Sequence, residues 1–236
     1  MARVARLLVA LVPLLVLLIS APWPATALAQ DEDAVLLVAS PGLQDLDYRQ
    51  TVVLAAPGPS GGHIGVILNR PTRRSLASLF PEHEPSKKVI DPVYYGGPIS
   101  RGALVAVVKA DAAPGAGTVQ LMKNLYMAFR VNTIDLVIET HPNDARYYVG
   151  YVGWLPGELQ DEIERGIWTV LNADADVVFR KDMDSLWEEM LQRTKSIRAE
   201  MGPRTPIDSF GARFHGGDNQ AAARAGAFSK VIFEPR

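Results

Sequence analysis

The sequence predicts an α+β domain, and three observations carry that expectation. Short apolar runs rich in Val, Ile, Leu and Tyr recur between turns rich in Gly and Pro, the pattern of strands. Two of these runs, TVVLAAP and HIGVILN, flank the loop GPSGG and read as a hairpin. Towards the C-terminal end the apolar spacing lengthens to the helical period, with acids in the first turns and Gly at a stop.

Taken in order, AVLLVAS (Ala34–Ser40) is a compact apolar run closed by Pro41-Gly42, a buried strand, and LQDLDYRQ is a polar loop. The hairpin strands follow, Thr51–Pro57 and His63–Asn69. SLASLF (Ser75–Phe80) reads as a short helix capped by Ser75, and PEHEPSKK as an exposed loop. PVYYGG and GALVAVVK (Gly102–Lys109) are two more strands, separated by the corner GPISRG. TVQLMKNLYMAFR fits strand or helix, with strand favoured in its second half. NTIDLVIET is a short helix with Asn132 placed as its cap and His141-Pro142 at its end. ARYYVGYVGW (Ala145–Trp154), aromatic and β-branched, is expected as a central strand. LPGELQDEIERG starts a helix near Pro156 and ends it at Arg165-Gly166, and IWTVL is a strand. DADVVFR and DSLWEEMLQRTKSIRAE are helical, the latter with Leu186, Met190 and Leu191 on one face and Trp187 beside them.

The two ends differ from this body. Arg3 and Arg6 precede the uncharged run Leu7–Ile19, and APWPA leads to Ala27-Leu28-Ala29. This order of basic start, apolar core and small-x-small site predicts a signal peptide over residues 1–29, cleaved before Gln30. An uncleaved membrane anchor is the alternative, although the apolar core is shorter than the roughly 20 residues a span needs, and Pro13 interrupts it. Residues 30–200 form the expected domain, and residues 201–236, rich in Gly, Ala, Pro and Arg without a period, the expected flexible tail. The chain carries 24 Lys and Arg against 26 Asp and Glu; without Arg3 and Arg6 the balance is 22 against 26, or −4. An acidic protein is not expected to contact nucleic acid directly, because that affinity comes largely from cations neutralising phosphates. The absence of cysteine excludes disulfides, thiolate catalysis and Cys-based zinc sites.

Chemistry-bearing motifs are sparse. There is no G-x-S-x-G elbow, and Ser100 in GPISRG has the wrong spacing. His63 and His141 read as turn residues, His83 and His215 as solvated ones, although a hydrolase using His63 or His141 is an alternative. Glu82-His83-Glu84 has ligand-type atoms too close in sequence to converge on one ion, and no nucleotide-binding loop occurs, so no metal or cofactor is expected. Glu158, Asp161, Glu162 and Glu164 read as the exposed side of a helix. Two corners remain. Pro71 forces Arg70 towards extended geometry and stops its strand, and Gly96-Gly97-Pro98 with Gly102 permits an irregular path. If the two strands are neighbours, Asn69, Arg70 and Arg101 meet at one sheet end as an anion pocket of two guanidinium forks beside free backbone donors. The alternative is structural: Asn69 caps a turn, and Arg70 and Arg101 pair with acids such as Asp91.

The phrases LLVASPGLQDLDYRQTVVLAAP, GGHIGVILNRPT, PVYYGGPISRG and GYVGWLPGELQDEIERGIW, in this order, resemble the YqgE/AlgH family from about Val35 to Trp187. The resemblance implies a bent, partly barrel-like, mostly antiparallel sheet surrounded by helices. It brings a suggestion of transcriptional regulation in the cytoplasm and no settled catalytic residues. The export signal and the tail after Glu200 are additions to the family pattern. Together these observations lead to an exported, periplasmic or secreted binding or adaptor protein, its partner a protein or a small anionic ligand, with membrane contact only through an uncleaved N-terminal segment. A cytoplasmic regulator is the alternative. Mass spectrometry of the protein from fractionated cells is expected to find Gln30 as the first residue, outside the cytoplasm; a cytosolic chain starting at Met1 would overturn the export assignment.

Overall fold

The computed structural model describes residues 34–201, so the expected signal segment and all but the first residue of the expected tail lie outside the described residues. Five-residue runs with every side chain buried begin the domain. β1 (Val35–Ala39), β2 (Val52–Pro57) and β3 (His63–Ile67) follow one another antiparallel, and β10 (Trp168–Asn172) pairs antiparallel with the other side of β1. The sheet continues from β3 to β9 (Ala145–Trp154), β6 (Ile99–Lys109), β8 (Leu125–Ala128) and β7 (Thr118–Met122). It curls as a half-barrel, so that the Ala34 amide, just ahead of β1, donates to the Leu121 carbonyl of the last strand at 2.6 Å. Among the described residues five α-helices accompany the sheet: α1 (Leu76–Leu79), α2 (Val131–Thr140), α3 (Glu158–Glu164), α4 (Ala175–Phe179) and α5 (Leu186–Met201).

The strand period of two divides the interior into two cores. Val105, Val107 and Tyr148 face the larger one with β1, β2 and the α5 residues Leu186 and Met190. Ala106, Val108 and Tyr147 face the smaller one with Leu76 and the α2 residues Ile134, Val137 and Ile138. The Trp187 indole closes the larger core by donating to the Ala39 carbonyl at 2.8 Å, 148 residues away in sequence.

A short branch leaves this sheet at its centre. β4 (Pro71–Ser75) pairs with β5 (Pro92–Tyr95), and β5 runs parallel to β9 through Tyr94↔Tyr148 and Tyr95↔Val149. β3 pairs with β9 further along, from Gly65↔Val152 to His63↔Trp154. β3 and β5 therefore converge where Gly96 lies: its amide donates to the Val149 carbonyl at 2.8 Å, and its carbonyl accepts from Ile67 at 2.9 Å. No side chain fits this junction. A Cβ on Gly96 would lie 2.3 Å from the Gly150 carbonyl oxygen, and one on Gly150, whose φ is +72°, would lie 2.2 Å from that of Gly97.

Several expectations need correction. β3 ends at Ile67, short of the expected Asn69, and Pro71 opens β4, a strand of Pro and polar residues, instead of stopping one. Pro, Arg73 and Arg74 on so short an edge discourage further strand pairing. TVQLMKNLYMAFR is strand in both halves, a β7–β8 hairpin turned at Asn124 with φ +59°. The PEHEPSKK loop contains a 3₁₀ turn (Glu84–Lys88) around the buried Ser86. Arg130, with extended backbone, is the N-cap of α2, and Asn132 lies inside the helix instead of capping it. β6 begins at Ile99, so the GPISRG corner runs into the strand as a bulge between Ile99↔Tyr151 and Leu104↔Val149.

One charge lies inside the fold. Arg146 on β9 is fully buried, donating to the carbonyls of Val178 at 2.6 Å and Arg180 at 2.9 Å and to Asp91 at 3.4 Å, with its guanidinium carbon 4.5 Å from the Tyr94 ring centroid. It thereby ties the end of α4 to the central strand. Arg146→Ala is expected to lower unfolding free energy by about 2–5 kcal/mol, because it empties a fully buried side-chain site and leaves the Val178 and Arg180 carbonyls without this donor. Exposed Arg165→Ala should stay within about 0.5 kcal/mol in the same denaturant titration.

Candidate functional site

The corner that ends β3 and the corner that opens β6 meet over the Leu43–Gln50 loop, which contains neither strand nor helix. Asn69 holds one end of it, accepting from the Val52 amide and donating to the Gln50 carbonyl, both at 2.9 Å. That carbonyl belongs to a residue in the left-handed region, φ +53°, which the two bonds help hold in place. Arg70 donates from its guanidinium to the Arg49 carbonyl at 2.8 Å, and its own carbonyl accepts from Tyr95 at 2.8 Å. Arg101 reaches the middle of the loop, 3.3 Å from each carboxylate oxygen of Asp47. The Tyr95 hydroxyl donates to the same carboxylate at 2.7 Å.

Asn69, Arg70 and Arg101 thus lie at one sheet end, as adjacent strands require, and all three bear on one loop. The acid facing Arg101 is Asp47; Asp91, the partner considered from sequence, is instead the carboxylate beside Arg146. Gly96 and Gly97 are buried against β9, and a Cβ on Gly97 would lie 2.4 Å from the Tyr151 carbonyl oxygen, so β9 fills the space these glycines leave. Pro98 is half-buried behind them, Pro71 is exposed at the start of β4, and Gly102 has nothing within 4 Å of its Cβ direction. Between Gly97 and Gly102, Ser100 adopts φ +48°, a left-handed conformation for a residue with a side chain, at the bulge that carries Arg101 outward.

The electrostatics of this rim are uneven. Arg101 is 65% exposed and Asp47 36%, and an exposed pair at 3.3 Å contributes at most about 1 kcal/mol. The Tyr95 hydroxyl is pushed up to about 12, first by burial and then by its bond to Asp47 and the Asp47 charge, with Arg101 acting the other way. Tyr48, stacked edge-on against Trp168 at 5.9 Å, is also pushed up to about 12 by burial and then by Asp45, Asp47 and Glu162. Glu162 was expected on a solvated helix face; its Oε2 instead accepts from the indoles of Trp154 at 2.8 Å and Trp168 at 2.7 Å. Of the other acids on α3, Glu158 caps the turn by accepting from the Leu155 amide at 2.9 Å.

Histidine chemistry finds little support among the described residues. His83 is bonded through Nδ1 to the Ser86 hydroxyl at 2.6 Å and is half-buried, where sequence suggested a solvated ring. Ser86 is fully buried, so a substrate cannot reach that hydroxyl. At Thr140 the single hydroxyl proton goes to the Leu136 carbonyl at 2.6 Å, so the His141 Nδ1 2.7 Å away donates and is not placed to remove it. Burial lowers the His63 pKa and keeps the ring neutral. No group of three His, Asp or Glu side chains among the described residues is arranged to hold a metal ion.

A family model described as AlgH-like matches residues 36–197. A UPF0301 protein of Thermobifida fusca is 34% identical over 169 residues, covering 67% of this chain and 84% of its own. Another, of Mycobacterium leprae, is 32% identical over 181 residues, covering 73% and 87%. Among solved structures, protein DIP2367 from Corynebacterium diphtheriae superimposes with TM-score 0.57 at 27% identity, over 69% of this chain and 86% of that one. The AlgH protein of Pseudomonas aeruginosa has the same TM-score at 18% identity, over 74% and 94%, a likeness of fold.

Because Tyr95 and Tyr48 stay protonated in the fold to higher pH than in the unfolded chain, the stability they contribute is complete below pH ~10 and lost as pH rises from ~10 through ~12. Thermal melts across that window should show the loss, and Tyr95→Phe should reduce its steepness.

Proposed function

Since the chain belongs to the AlgH-like family, we propose that it is a non-enzymatic binding or adaptor protein that acts outside the cytoplasm, with Arg101 as its contact, presented by the corner that Asn69, Arg70, Pro71, Gly96, Gly97, Pro98 and Gly102 build. The observation that carries this reading is Arg101, a guanidinium 65% exposed on a bulge and held by a long ion pair and a distant contact with the Tyr95 ring, 5.9 Å from its centroid. An incoming carboxylate or phosphate can replace Asp47 there at small cost, because Tyr95 continues to hold Asp47 in place. The rest of the rim is firm, and on the loop it holds Leu46 is 73% exposed beside the charge. Such a surface offers one apolar contact and one cation in fixed relation, with little ordering required on binding. Export follows from the N-terminal sequence pattern, and the negative net charge speaks for a partner other than DNA.

Amide chemical shifts recorded while inorganic phosphate or a dicarboxylate is added are the direct test. Expected are changes confined to residues 45–48 and 99–102, absent in Arg101→Ala, whose Tm falls by no more than about 2–4 °C because the lost pair contributes at most about 1 kcal/mol. Asn69→Ala, by contrast, should cost about 2 kcal/mol through its two backbone bonds. Changes scattered over the whole surface, or unaltered in Arg101→Ala, would remove the rim from consideration.

A further inference from the structure

Beyond the rim, residues 73–90 form a second surface of different character. In a chain of net charge −2, this stretch carries Arg73, Arg74, Lys87 and Lys88 against Glu82 and Glu84. Glu84 is paired with Lys87 within the turn, whereas Arg73, Arg74 and Lys88 make no ion pair among the described residues. The same stretch exposes two large apolar side chains, Phe80 at 42% and Ile90 at 81%.

Neither apolar residue is on a slack segment. Phe80 caps α1 with its amide on the Leu76 carbonyl at 3.0 Å. Three successive turns lead on from it, His83 to Phe80, Ser86 to His83 and Val89 to Ser86, each closed by an amide–carbonyl bond of 3.0–3.3 Å. Ten residues wound in this way span no more than about 20 Å, so the two exposed apolar side chains lie along one short strip of the chain. At its far end Asn143 clamps the backbone, accepting from the Ile90 amide at 3.1 Å and donating to the Lys88 carbonyl at 3.2 Å. Leu76 and Val89 anchor the inner side in the smaller core. A turn so fixed holds an isoleucine in water with unpaired cations beside it.

We propose that this strip is a docking face for an anionic lipid surface. Headgroup phosphates match the unpaired cations, and the boundary with the acyl chains, a few ångströms deeper, takes up Phe80 and Ile90. A polyanion alone would satisfy the charges and leave both apolar side chains in water. A wholly apolar partner would desolvate the cations unpaired. The lipid interface answers both. This face is separate from the rim proposed above and does not depend on it.

The cysteine-free sequence permits a site-specific test on the full chain. An environment-sensitive fluorophore is attached to Ile90→Cys, and in a second sample to Gln44→Cys in the exposed loop as control. Vesicles of phosphatidylcholine, with and without phosphatidylglycerol, are then added. Expected is a blue shift at position 90 with phosphatidylglycerol vesicles, reversed as salt exceeds ~0.15 M where screening shortens to about 8 Å, and no such shift at position 44. The double variant Arg74→Glu, Lys88→Glu, labelled at position 90, should lose the shift while its melting temperature is kept. No shift at 90, an equal shift with phosphatidylcholine alone, an equal shift at 44, or a shift that survives the charge reversals would each overturn the proposal. Capture of an acidic protein with no response to vesicles would do so too.

Discussion

Three backbones share one place in this molecule, and the rest of the fold is arranged around that fact. β3 and β5 converge on a single edge of β9, and only a chain without side chains at Gly96, Gly97 and Gly150 can make the approach. Once the junction is made, the β3–β4 corner and the β5–β6 corner have to lie side by side. Their side chains then reach the same loop, which is why Asn69, Arg70, Tyr95 and Arg101 converge on residues 45–50. The recurrent glycines of VYYGGP and GYVGW are two halves of one contact. Their role is the close approach itself; beyond them Arg101 and Leu46 reach solvent.

Several polar groups link more than one element of the fold. Arg146 links α4 to the central strand, and Glu162 joins two indoles from β9 and β10. Half-buried Asn69 and, at the surface, Asn143 each clamp a neighbouring backbone segment through both ends of the amide group. Buried or half-buried polar atoms satisfied in this way specify geometry more than they add net stability. The result is a surface on which irregular segments are as well defined as strands.

How much of this was legible in the sequence depended on whether a feature had local cause. Strands with continuous apolar runs, such as AVLLVAS and ARYYVGYVGW, could be read directly, as could the Ser75 cap, whose oxygen accepts from Ser78. β4 could not, because PTRRS is an exposed edge strand whose pairing is decided by β5, 20-odd residues on, and not by its own side chains. The convergence of Asn69, Arg70 and Arg101 was foreseeable once their strands were taken as neighbours. Its counterpart Asp47 was not, since Tyr95 and Asp47 are 48 residues apart and nothing local marks that aspartate among the polar residues of its loop. Arg146 did leave a signal, a lone charge beside four apolar or aromatic neighbours in a strand expected at the centre of the sheet. Glu162 left none, because its spacing suits a solvated helix face equally well.

The placement of β1 bears on the order of events when the chain folds. β1 is among the first described residues, yet one of its edges waits for β10 and its last carbonyl for the Trp187 indole, 148 residues later. Such long-range closure is slow, since the entropy of a large loop must be overcome before the contact stabilises anything. During synthesis the N-terminal strand therefore remains without its final neighbours until almost the whole domain has left the ribosome. A polypeptide with that property stays competent for threading through a narrow pore far longer than one whose first hairpin is self-sufficient.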